Sequence, residues 1–107
     1  MTSGPLRLEY EARVMALRWW ADAMRQDGLP LETIARAMHA ERRCLCKAFK
    51  NLTPEPQRTR LVQRTYAAYG DQLGPSVEYL WAKGKNWEEI IEAASRPGSH
   101  PADICDA

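Results

Sequence analysis

The chain has 107 residues, of which 45% are hydrophobic and 27% charged, with a formal net charge of +1. This balance excludes an extended disordered chain, and the length suits one domain around one core rather than two. No apolar run reaches the ~18–20 residues that span a bilayer, and no basic stretch followed by an apolar one marks a signal peptide, so a cytoplasmic protein that stays off membranes is expected.

Glycine and proline punctuate segments of three-and-four periodicity, which predicts an all-α fold: a compact orthogonal bundle of four to five short helices. A first helix is expected from near Pro5 to Gln26, with Leu6, Tyr10, Val14, Leu17, Ala21 and Met24 on its buried face. Asp27-Gly28 ends it, glycine supplying the left-handed cap. A second helix opens around Leu29-Pro30-Leu31-Glu32, with Ile34, Met38, Leu45 and Ala48 or Phe49 as its apolar stripe. Glu41 interrupts that stripe, and a carboxylate beside a core needs a partner such as an arginine. Asn51-Leu52-Thr53-Pro54 stops the helix, and Thr53 is the expected N-cap of the third, from about Pro54 to Tyr69. Leu61, Thr65 and Tyr69 share one side of it, and Gln57, Arg60 and Arg64 another.

Gly74-Pro75-Ser76 opens a short helix through Val77, Leu80 and Trp81, stopped by Gly84. Asn86 caps the last, Trp87 to Ser95. The expected core anchors are Leu17, Ile34, Leu45, Leu61, Leu80, Trp87 and Ile90. Residues 1–98 form the single domain and 99–107 a frayed polar tail. Residues 24–38 resemble 80–94: Gly28 aligns with Gly84, Leu31 with Trp87, Glu32 with Glu88 and Ile34 with Ile90. One such pair is too little for a repeat protein, so shared capping physics is the expected cause.

Cys44, Cys46 and Cys105 are an odd set without a visible signal peptide, which argues against a disulfide framework. Cys44 and Cys46 point to nearly opposite sides of a helix and do not share a metal, so no metal site and no cofactor are expected. No Gly-rich phosphate loop, His-Glu-x-x-His or nucleophile elbow occurs.

The charge is unevenly placed. Between Arg36 and Arg64 eight basic residues face only Glu41 and Glu55, a local balance of +6. Arg36, His39, Arg43, Lys47 and Lys50 recur on one face of the second helix. Arg36, Arg43, Lys47 and Lys50 of that face, with Arg42, Arg60 and Arg64, form a candidate nucleic-acid surface. The competing explanation is a solvated face paired with the acidic last helix, Glu88, Glu89 and Glu92. Residues 31 to 50 also partly fit a helix-turn-helix, although Met38-His39-Ala40 reads more easily as continuous helix. His39 and Glu41 are the candidate acid–base pair, but two residues apart they diverge, and a surface histidine is more often a bystander.

His39-Ala-Glu-Arg-Arg-Cys-Leu-Cys-Lys-Ala-Phe-Lys-Asn-Leu-Thr-Pro54, Tyr69-Gly-Asp-Gln-Leu-Gly-Pro75 and Gly84-Lys-Asn-Trp-Glu-Glu-Ile-Ile-Glu-Ala-Ala-Ser-Arg-Pro-Gly98 together resemble C-terminal modules of bacterial polymorphic toxins, of the Rhs and filamentous-haemagglutinin types. The likeness spans roughly residues 29–98. The chain departs from it at Cys46, Gln72 and Trp81, where glycine, proline and arginine are expected, and in Ser99-His-Pro-Ala-Asp, which replaces a glycine-rich ending. The resemblance implies an effector delivered into rival cells, acting on or binding nucleic acid and held in check by an immunity protein. A non-catalytic helix-turn-helix or helical adaptor that binds DNA or a protein partner is the alternative.

Overall fold

A computed structural model describes residues 3–96, with side chains from Pro5 onward; Cys105 and the expected frayed tail lie outside the described residues. Five helices follow one another: α1 (Ser3–Gln26), α2 (Leu31–Leu52), α3 (Gln57–Tyr69), α4 (Val77–Ala82) and α5 (Trp87–Ala94). Among the described residues no strand forms, so the bundle is all-α as the periodicity predicts.

Tyr10, Val14, Leu17, Ala21 and Met24 of α1 are all buried, in the register expected for one helical face. Leu17, Ala21 and Met24 meet Ile34, Ala35 and Met38 of α2 and Ile90, Ile91 and Ala94 of α5, with Val77 of α4 closing the cluster. A smaller cluster joins Tyr10 and Val14 to Cys46 and Phe49 at the far end of α2. Leu17, Ile34, Leu61 and Ile90 are buried as expected, while Leu45, Leu80 and Trp87 pack at the half-buried edge.

α2 runs unbroken through Met38-His39-Ala40, so residues 31–50 do not form a helix-turn-helix. Its buried seam continues from Met38 to Arg42 and then to Cys46 and Phe49, four, four and three residues apart. Glu41 therefore does not interrupt the stripe. It is exposed, and Arg42 occupies the interior position. Cys44 is exposed and Cys46 buried, as divergence along a helix requires.

Thr53 is the C-cap of α2 rather than the N-cap of α3; its Oγ1 donates to Phe49 O at 2.8 Å. Thr53 and Glu55 each precede a proline, and that position disfavours helical ψ, so α3 starts only at Gln57. Glu55 Oε1 then accepts from the backbone N–H of Thr59 at 3.1 Å and supplies the missing cap. Ser76 caps α4, and Asn86 with Glu89 forms a capping box at α5.

The two similar segments end their first helices identically. Leu29 N–H donates to Met24 O at 3.2 Å and Gly28 N–H to Arg25 O at 2.9 Å. Lys85 N–H donates to Leu80 O at 3.1 Å and Gly84 N–H to Trp81 O at 3.0 Å. Both are Schellman caps, with Gly28 at φ 77° and Gly84 at φ 89°. Each cap returns the chain so that an isoleucine in the next helix, Ile34 or Ile90, is fully buried.

Candidate functional site

The +6 segment separates into an interior part and a surface part. Arg42 is 1% exposed and His39 2%, so neither lies on the outer face where the sequence pattern sets them. They stand one turn apart on α2 and both grip the backbone of α5. His39 Nε2 donates to Ile90 O at 2.7 Å; a carbonyl only accepts, so Nε2 carries the hydrogen. Arg42 donates through Nη1 to Ala93 O at 3.1 Å and Ala94 O at 2.8 Å. A cation at a helix C-terminus also meets the negative end of its dipole.

Arg42 Nε donates to Tyr10 Oη at 3.1 Å, and that oxygen lies 3.1 Å from Cys46 Sγ. The guanidinium carbon stands 5.8 Å from the centre of the Tyr10 ring. Arg42 thus ties α1, α2 and α5 together and does not belong to a solvent-facing phosphate site. His39 Nδ1 is buried with no hydrogen-bond partner among the described residues. Burial pushes the His39 imidazole below its ordinary value, the bond to Ile90 O opposes this, and the charges of Arg42 and Arg43 add to the lowering. His39 is therefore a neutral interior group, while Glu41 sits in solvent. The structure does not bring the candidate acid–base pair together.

On the surface, carboxylates neutralise some of the cations. Arg36 donates to Glu32 Oε2 at 3.0 Å and to Glu78 Oε2 at 2.8 Å. Arg43 forks onto Asp71 at 3.2 and 3.0 Å. Burial raises the Asp71 carboxyl, but the Leu73 backbone N–H, Arg43 and the nearby charge of Lys50 outweigh it and hold it below the usual range. Arg58 Nε meets Glu55 Oε2 at 3.2 Å. Among the described residues no carboxylate of α5 pairs with these surface cations: Glu88 binds Arg25 at 2.6 Å, Glu89 accepts from the Asn86 backbone N–H, and Glu92 binds Arg96 at 3.0 Å.

Lys47, Lys50, Arg60 and Arg64 form no ion pair among the described residues. Lys47, Arg60 and Arg64 are exposed and Lys50 is half-buried. α3 contains no acidic residue at all, and its solvent face adds Tyr66, 57% exposed. Tyr66 is not legible as a site residue from sequence, because a lone aromatic at a helical spacing carries no surface signal.

A second feature is equally hidden in the sequence. Trp81 and Trp87 stack with ring centres 4.3 Å apart across the α4–α5 turn, and the Arg36 guanidinium lies 5.9 Å from the Trp87 ring. With Glu32, Val77 and Glu78 they line an open cleft of about 330 Å³. Its one signal is the six-residue spacing of the two indoles around Gly84, legible only once the tight cap is known.

Among the described residues no group of three His, Cys, Asp or Glu side chains is placed to hold a metal ion. No described helix is long and apolar enough to cross a membrane. Comparison of the chain with protein-family models, with curated proteins and with solved structures finds no match.

Proposed function

We propose that this chain is a small toxin-like helical effector domain that binds nucleic acid by its phosphates through the outer surface of α2 and α3. One observation carries the reading: Lys47, Arg60 and Arg64 are solvent-exposed cations with no carboxylate paired to them among the described residues. From Arg42 to Gly70 the only acidic residue is Glu55, and Arg58 and Thr59 occupy its carboxylate. Exposed cations left unneutralised by their own fold gain by displacing counterions from a phosphate backbone. Tyr66 offers a ring on which an unpaired base can stack, which favours single strands.

The likeness to polymorphic-toxin modules supplies the effector class and implies an immunity protein as partner. His39 is not the base of such an effector, because its lone pair is buried; any cleavage needs another group. The test is fluorescence anisotropy with labelled single-stranded RNA and duplex DNA across a salt series, beside expression in the bacterial cytoplasm. Salt-sensitive affinity and growth arrest are the expected results. Absence of any salt-sensitive affinity at low ionic strength overturns the reading, and growth without arrest favours the adaptor.

A further inference from the structure

α1 has two apolar faces, and the bundle uses only one. Opposite the buried row stand Leu8, Ala12, Met15 and Trp19, spaced four, three and four residues apart. Leu8 is 69% exposed, Met15 49% and Trp19 77%. Ala16 and Ala23 lie exposed along the same side, leaving room for a second helix to approach. Single exposed apolar residues are ordinary on protein surfaces, but a continuous row at this spacing is the seam of a helix pair.

We propose that a second copy of this chain covers that face, with the two α1 helices antiparallel. Charge selects both the occupant and its direction. Arg18, on the flank of the seam, forms no ion pair among the described residues. Glu11, one heptad earlier on the same flank, accepts from Arg7 Nε through Oε2 at 3.1 Å. An antiparallel pair centred between Ala12 and Met15 sets Leu8 against the partner's Trp19 and Ala12 against the partner's Met15. The flanks then bring Glu11 beside the partner's Arg18, twice by symmetry. A parallel pair instead sets Ala16 opposite Glu11 and Ala23 opposite Arg18, with no ion pair. The seam is short, so the dimer is concentration-dependent rather than obligate.

Sedimentation equilibrium of the full chain tests this, in reductant because Cys44 is exposed and can cross-link copies. From low to several hundred micromolar the wild type should pass from monomer to dimer. Trp19→Glu and, independently, Met15→Glu should remain monomeric with unchanged helical circular dichroism, since both side chains are exposed. Arg18→Glu should weaken association several-fold, and Glu11→Arg combined with Arg18→Glu should restore it. A wild type that stays monomeric throughout overturns the proposal, as does a folded Trp19→Glu or Met15→Glu that still dimerises. Failure of the double charge swap to recover affinity overturns the antiparallel arrangement.

Discussion

Arg42 of α2 donates to the carbonyl oxygen of Ala94 at 2.8 Å, so a guanidinium buried in the core holds the C-terminal end of α5. Arg42→Met keeps most of the volume but strips donors from the Ala93 and Ala94 carbonyls and from the Tyr10 hydroxyl. Leaving such groups buried and unmet costs on the order of 3 kcal/mol. Urea unfolding should show that loss, and Arg42→Lys should recover little, because an ammonium lacks the planar fork. An Arg42→Met midpoint matching wild type would show that the clamp adds nothing to stability.

His39 predicts an acid-side loss of stability. Its folded-state value lies below the ordinary one, chiefly through burial, so the unfolded chain binds the proton more readily. Stability is therefore fully present above the unfolded value, ~6.5, and falls as pH drops below it. Asp71, Glu55 and Glu78 are held below the usual carboxylate range, so their contributions fade only at lower pH. The melting temperature should fall between neutrality and mild acid in the wild type, and less steeply in His39→Gln. Parallel profiles would show that another group sets the acid sensitivity.

The helix order, the glycine caps and the α1 register are legible in the sequence because each rests on local chemistry: periodic apolar positions, Gly at a left-handed cap, Ser or Asn before a helix. The interior of α2 is not. Counting from Met38 by three lands on Glu41 and by four on Arg42, and composition favours burying neither; docking of α5 on that side settles it. His39 sits at the boundary of the same face, so the wheel alone groups it with Arg43 and Lys47. Thr53 misleads because it precedes proline yet still caps, at the end of α2 instead of the start of α3. For the candidate surface, the sequence marks the cations, and helical spacing alone places Glu32 beside Arg36, but that Asp71 neutralises Arg43 and Glu78 adds to Arg36 is a tertiary fact.

The paired Schellman caps give a symmetric prediction. An added Cβ at Gly28 or Gly84 meets no atom within 4 Å, so an alanine there suffers only from positive φ. Gly28→Ala and Gly84→Ala should each cost about 1–2 kcal/mol, and asparagine less, because it tolerates the left-handed region. Calorimetry of the four variants checks this. Two alanine variants as stable as wild type would mean that neither turn depends on the left-handed cap.

The last prediction separates free cations from neutralised ones. Replacing Lys47, Arg60 or Arg64 by glutamine removes a charge that no carboxylate offsets among the described residues. Each change should flatten the salt dependence of nucleic-acid binding by about one unit of slope for every phosphate that is no longer engaged. Arg36→Gln should do less, because Arg36 already donates to Glu32 and Glu78 and its removal frees two acids rather than one phosphate. Sequence preference should not change in any of them, since phosphate contacts position a ligand without reading bases. Tyr66→Ala should weaken single-stranded RNA more than duplex, and with no change in slope, because stacking carries no counterion term. Equal effects at Arg36 and Arg64 would show that net charge alone, rather than the exposed α2–α3 surface, governs the affinity.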